Sequence, residues 1–472
     1  MRALGGRVGY GAAFASREFR ALFAGQTVST TGTSVAGVAL TVLVYRRTGS
    51  PFLSALTFSL GFLPYVVGAG ISGVVDRVRP RPLVVACDTC ACLVAAVMAW
   101  PGAPVALLLA LLFCLGILAS IATGSRAALV RSTVTADAYV PARSLLKLAS
   151  QSAQLGGNAF GGALVVALSP SGAILVNAAS FLFSAVVVRL GLRDHALAWE
   201  PSRAGLLRDS LHGARDILGR AELRRLLLLG WLVPMFSVAP EALAAPYVAR
   251  HHGSATLVGI WLVALPLGVI IGDIFGVRFL TAQQQRRLVV PVAAAGFLPY
   301  LLFVLRPSIP VALVLLVVSG ICGMYSLGLD GRVRDAAPER LFARAMTLNS
   351  AGLMTLQGIG FALAGAIAQA TSASLAITIA GALGLIATAL SSAGPANDQH
   401  APATRRASRF NRNPTEDGFR LPIVQSFCHA LVAGSVGGNR MSSLPPHPAR
   451  VRPRSARRAP RPAPASCGRP AA

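Results

Sequence analysis

The sequence predicts an all-α, polytopic membrane protein with twelve transmembrane helices in two pseudo-repeated six-helix bundles. Three observations carry this. First, 54% of the 472 residues are apolar and only 13% are charged, about half the charged fraction of an ordinary soluble domain. Second, apolar runs long enough to cross a bilayer, roughly 20 residues at about 1.5 Å each, recur along the chain with short polar turns between them. Third, the formal charge of +26 is distributed unevenly. Among the loops, only Arg46, Arg47, Arg250 and Arg306 fall on the side predicted to be external. Such asymmetry is a membrane-orientation signal and argues against a nucleic-acid surface.

The elements follow in order. Residues 1–20 form a basic N-terminal arm, and 21–190 the first six spans. Span one, Leu22–Val44, is unusually polar: Gln26, Thr27, Ser29, Thr30, Thr31, Thr33 and Ser34. Polar side chains are costly against lipid, so this face is assigned to the bundle interior or a wet cavity. Gln26, Thr30 and Thr33 are candidate cavity-lining residues. Interhelical hydrogen bonding is the alternative role for them. Span two, Pro51–Val75, leads into a short loop containing Gly73, Asp76, Arg77, Arg79 and Arg81. Three arginines in so tight a loop place it on the cytoplasmic side, with both chain termini.

Span three, Pro82–Trp100, contains Asp88. Span four, Val105–Thr123, ends ahead of Arg126. At the predicted rim Arg126 is the natural partner of Asp76, and with Gly73 and Arg77 the pair is a candidate conformational gate. Span five, Leu146–Leu168, carries Gly156-Gly157-Asn158-Ala159-Phe160-Gly161-Gly162. Span six, Gly172–Leu190, carries Asn177. Asn158 and Asn177 complete the cavity-lining candidates.

Residues 191–224 are a linker in which Gly205–Leu218 reads as an amphipathic surface helix. Residues 225–394 hold spans seven (Leu226–Val248), eight (Leu257–Gly276), nine (Leu288–Val304), ten (Ile309–Leu329), eleven (Met346–Ala368) and twelve (Leu375–Leu390). Span seven is interrupted by Pro234, Pro240 and Pro246 around Glu241. Span eight sets Gly268, Gly272 and Gly276 on one face, with Asp273 beside them. The halves echo each other: Ala142-Arg143 enters span five as Ala343-Arg344 enters span eleven. The basic tail, 395–472, is rich in Arg, Pro, Ala and Ser and is expected to be disordered.

The loop at Asp76-Arg77 resembles the one between helices two and three of the major facilitator superfamily, and the glycine cluster of span five resembles that superfamily's antiporter motif. Asn158 stands where the motif has proline. Together with Phe19-Arg-Ala-Leu-Phe-Ala-Gly-Gln26, Val44-Tyr-Arg-Arg-Thr48-Gly-Ser-Pro51 and Pro240-Glu241…Pro246-Tyr247, residues 17–394 are similar to the drug-exporting branch that includes macrolide-efflux and enterobactin-exporter-like carriers. The resemblance implies export of an amphipathic small molecule by alternating access, coupled to protons, from a bacterial inner membrane. It departs at Gly32-Thr33, where that branch often has an acid, so a proton site must lie elsewhere.

The ionisable residues inside the spans are Asp88, Glu241 and Asp273, each costly in a bilayer unless partnered or functional. Glu241, between prolines, is the first proton-coupling candidate; Asp88 and Asp273 lie nearer the cytoplasmic end. No histidine falls in a span. No hydrolase triad, phosphate loop or metal cluster is present, so no catalytic residue, metal or cofactor is expected. The expected partners are a small-molecule substrate, protons and the lipid bilayer, with the chain as a monomer. The alternatives are an uncoupled facilitator or importer of the same fold, and a non-transporting scaffold.

Overall fold

The computed structural model describes residues 10–64, 78–135, 138–193 and 215–392. All of them lie in one compact unit, within Met1–Glu416. Among the described residues all regular structure is helical. Nine helices within these described residues are long and apolar enough to cross a membrane, and two shorter apolar helical stretches, Pro51–Phe62 and Val289–Leu305, accompany them. The loop with Gly73, Asp76 and Arg77, most of the linker and the tail lie outside the described residues.

A short α1, Tyr10–Ala15, precedes α2, Arg17–Thr48. Ser16 caps α2 by accepting the Phe19 amide at 3.2 Å. Gly49 ends it in the left-handed region at φ 63°, where a Cβ would be strained. Ser50 then caps α3, Pro51–Phe62, with proline in the first turn where its missing N–H costs nothing. Next come α4, Pro80–Met98, and α5, Val105–Thr133. The latter continues ten residues beyond the boundary predicted for span four.

The sixth helix, α6, runs Tyr139–Gly191. At about 1.5 Å per residue its 53 residues would far exceed a bilayer of roughly 30 Å. The chain instead reverses at Ser169 (φ 68°) and Pro170. Its two arms pack on α2 in opposite directions. Gly161 meets Val35 and Val38, whereas Ser180 meets Gly32, Ser184 meets Gly25 and Gly191 meets Ala21.

The proline-marked span seven is three helices: α7, Ala221–Ser237; α8, Ala239–Ala242; and α9, Ala244–Arg250. Carbonyls around these breaks are taken up by aromatic donors. Trp261 Nε1 donates to Pro240 O at 2.8 Å and Tyr300 Oη to Ser237 O at 2.9 Å. Then follows α10, Ala255–Phe279, and a capping-boxed α11, Ala282–Arg287. Span nine is likewise divided, into α12, Val289–Ala295, α13, Leu298–Leu301, and a 3₁₀ turn to Leu305. Span ten divides into α14, Ile309–Ile321, a 3₁₀ turn, and α15, Tyr325–Ala336. The chain closes with α16, Glu339–Ala370, and α17, Ala373–Ser392. The glycine face predicted for span eight packs on α14 and α15: Gly268 and Gly272 abut the Val317 and Ile321 carbonyls, and Gly276 abuts Met324 and Leu327.

Large apolar side chains such as Leu93, Phe160, Leu182, Val314 and Leu390 point outward, while Asp88, Asn177, Ser180 and Ser184 are buried inside. Apolar outside and polar inside is what a lipid solvent selects. One end of the bundle, where α2 and α7 begin, is here called the near end. The other, with the turns at Gly49, Ser169 and Gly253, is the far end. The two halves of the chain touch at the far end. Ser50 Oγ donates to Gln369 Oε1 at 2.8 Å and Ser59 Oγ to Gly358 O at 2.7 Å. The first arm of α6 crosses α10 so closely that a Cβ on Gly162 would collide with Ala255 O, and one on Gly259 would lie 2.6 Å from Asn158 O.

Candidate functional site

The interior encloses a cavity of about 450 Å³, within the range of small-molecule sites. Its main wall is one strip of α2: Gln26, Ser29, Thr30, Thr33, Ser34 and Gly37. The strip follows from helical period, since these positions recur at three- and four-residue spacing. Thr33 and Ser34 each donate their hydroxyl to the carbonyl four residues earlier, at 2.9 and 3.1 Å. Across from α2 stand Ser150, Gln154 and Asn158 of the first arm of α6, and Asn177 and Phe181 of the second. Gln26 Nε2 donates to Ser150 Oγ at 2.9 Å. Apolar patches come from Phe58, Phe62, Leu112, Leu115 and Met98. Toward the far end the wall is buried at Ala95 and Met98; toward the near end Thr123 and Gln154 are exposed.

Two kinds of charge line this space. Asp88 of α4, 2% exposed, accepts from Arg126 Nη2 of α5 at 2.8 Å through both carboxylate oxygens. Ser184 of α6 donates to Asp88 Oδ2 at 2.7 Å. This ties three helices into one charge-assisted knot. Glu241, on the short α8, also lines the cavity. It is half-buried, and no ion pair or hydrogen bond meets it among the described residues.

The structure therefore gathers Gln26, Thr30, Thr33, Asn158, Asn177, Asp88, Arg126 and Glu241 around one space. Asp273 lies apart from it on α10, with Oδ1 buried and without a hydrogen-bond partner. Asp76, the partner expected for Arg126, lies outside the described residues; among those residues Arg126 pairs with Asp88. The reason is depth. Because α5 continues to Thr133, Arg126 sits about two turns inside the helix end, level with Asp88 rather than at the rim. Gly73, Asp76 and Arg77 lie outside the described residues. Ser184, Ser150 and Gln154 were not singled out by the sequence. Polar residues every three to four positions along span five were the available signal for the last two; nothing local marks Ser184.

A family model described as transmembrane secretion effector matches residues 9–418. No curated protein sequence matches the chain. Among solved structures, the fold is similar to a bacterial homolog of the human lysosomal transporter Spinster, inward-facing and unoccupied. The TM-score there is 0.63 at 15% identity, covering 79% of this chain and 95% of that one. It is also similar to a bacterial homologue of the iron transporter ferroportin in an inward-facing state (TM-score 0.60, 16% identity, 80% and 99% covered). A third is a POT family transporter in complex with a thioalcohol-conjugated peptide (0.61, 12%, 79% and 95%). With the family match spanning most of its length, this chain belongs to the transmembrane secretion effector family and is a multi-pass transporter of the major facilitator superfamily.

Proposed function

We propose that the protein exports an amphipathic small molecule across a bacterial inner membrane by alternating access, in exchange for protons. The observation that carries this reading is Glu241. Among the described residues it is a carboxylate without a partner, facing a cavity whose other described charges, Asp88 and Arg126, are spent on each other. A carboxylate in that position can hold a proton or release it to whichever side the cavity faces. Mixed hydroxyl, amide and aromatic walls suit a ligand with both polar and apolar surface.

In this reading the chain makes twelve spans, six in 21–190 and six in 225–394, joined by the 191–224 linker. The nine long helices, the reversal at Ser169 and the two shorter apolar stretches support that count. The near end, where most loop arginines cluster, is cytoplasmic, as are both termini, and the far-end contacts make this an inward-facing arrangement. The test uses everted membrane vesicles carrying a proton gradient and a panel of amphipathic compounds. Wild type should dissipate the gradient on substrate addition and Glu241→Gln should not. Dissipation by both would move coupling to Asp88 or Asp273. A second reading, an uncoupled facilitator, is favoured by one feature: Thr33 lines the cavity where the resembling branch often has an acid. Substrate flux with no proton movement in wild type would establish it.

A further inference from the structure

Lys147 is the only lysine in the chain, and the packing of α6 on α10 gives it a position with consequences. The two helices run antiparallel, with Asn158 and Gly162 of α6 against Gly259 and Ala255 of α10. Lys147 precedes Asn158 by about three turns, which returns it to within about 20° of the same face. Asp273 follows Gly259 by about four turns, within about 40° of its face. Both side chains are thus directed along the same groove between the halves, at its near end. Asp330 of α15 lies one turn past Leu327, which abuts Gly276 of α10, so it stands further toward the near end than Asp273, and the Lys147 ammonium acts electrostatically on both carboxylates. Lys147 and Asp330 are exposed and Asp273 is half-buried. Asp273 Oδ1 is enclosed yet has no hydrogen-bond partner. Arg334, four residues along α15, also acts on Asp330, while Arg286 is occupied by Asp335.

A buried carboxylate oxygen without a donor is unfavourable, and the cation able to satisfy it sits on the opposite half. At the far end, the halves meet without any ion pair between described residues, through glycine contacts and neutral hydrogen bonds. The two mouths therefore differ in the force that would hold them shut. We propose that Lys147, Asp273 and Asp330 form the clasp of the near-end mouth: on closure the ammonium docks between the two carboxylates, joining the halves and giving Asp273 Oδ1 its missing donor. This rests on the alternating-access reading and adds the residues that stabilise one of its two states.

The test is double electron–electron resonance on the full-length chain in lipid nanodiscs, with the native cysteines replaced. One label pair, Ser132→Cys and Gln283→Cys, reports the near end; a second, Gly102→Cys and Thr371→Cys, both exposed, reports the far end. Wild type should show a short near-end distance population that coincides with far-end opening. Lys147→Gln should deplete that population relative to the open one by about fivefold or more, and Lys147→Arg should retain it. The exchange Lys147→Asp with Asp273→Lys, which keeps a cation between two carboxylates, should restore it. Wild type that alternates, with a near-end distribution unmoved by Lys147→Gln, refutes the clasp alone, as does failure of the exchanged variant to restore closure when it elutes as a monodisperse, folded protein. A wild type with a single distance at both ends refutes alternating access, and the clasp with it.

Discussion

Removing Arg126 should be among the most damaging single changes in the first half of the protein, and the structure sets its size. Arg126 Nη2 holds both oxygens of Asp88 at 2.8 Å, and Ser184 holds one of them at 2.7 Å. The side chains are 15% and 3% exposed, so water screens the pair little. In Arg126→Gln, Asp88 would keep one hydroxyl and lose its cation. Breaking a buried pair from one side costs about 3–5 kcal/mol. A carboxyl can be neutralised by proton uptake at pH 7 for about 4 kcal/mol, which caps the loss, so about 3–4 kcal/mol is expected. Adding Asp88→Asn should return most of it, because the amide still accepts from Ser184 and leaves no charge behind. The assay is reversible unfolding of the purified protein in mixed micelles titrated with denaturing detergent, run on wild type, both single variants and the double variant. A cost below about 1 kcal/mol for Arg126→Gln would mean the pair behaves as a solvated surface contact. A double variant as unstable as the sum of the singles would mean the two side chains do not act together. Both results would refute the depth assigned to Arg126.

Gly259→Val should push α10 off α6 at the far end, where its Cβ would meet the Asn158 carbonyl at 2.6 Å; overpacking of about 1–3 kcal/mol should favour the far-end-open state, read as increased thiol labelling of Asn158→Cys from the outside. Ser50→Cys with Gln369→Cys should cross-link on mild oxidation, since the native side chains hydrogen-bond at 2.8 Å, and the bond should arrest transport; free transport by the cross-linked protein would contradict a moving far end. At the near-end surface, Arg131 donates to the Tyr139 hydroxyl at 3.4 Å and Arg143 at 3.5 Å, and the Arg131 bond, with Arg143 assisting, holds this phenol below its ordinary 10.0. A depressed acid stabilises the fold only above its unfolded value and loses that contribution as pH falls through the folded one. Tyr139→Phe should therefore be neutral for stability at pH 7, and the wild-type minus Tyr139→Phe absorbance difference should show one tyrosinate forming early. Titration of that signal at or above pH 10 would remove the contact.

What could be read from the chain alone was whatever repeats along a single helix. The α2 strip from Gln26 to Gly37 is a 3.6-residue pattern, and it lines the cavity as a strip. The glycine ladder of α10 and the proline breaks around Glu241 are equally local. What stayed hidden depends on how helices are set against one another. The Asp88–Arg126 contact required the true length of α5, whose last turns, through Ser132, are too polar to read as membrane. Ser184 became a ligand of Asp88 only because α6 folds back on α2. The breaks at Gly296 and Cys322 do carry local signals, Pro299 in the first turn of α13 and the glycines Gly320 and Gly323 on either side of Cys322, but inside long apolar runs these read as features of one continuous span.

The hydroxyls of α2 bear on how such a carrier can change over generations. Thr27, Thr31, Thr33 and Ser34 all donate to carbonyls of their own helix four residues earlier. Those carbonyls already serve the helical ladder, so exchanging a threonine or serine for alanine strands no neighbour and demands no compensating substitution. Positions such as Thr33 and Ser34 can therefore be recoloured one at a time, altering what the cavity wall offers a ligand while the scaffold stays in place. Substrate preference in this architecture is free to drift along one helix, largely uncoupled from the residues that keep the bundle together.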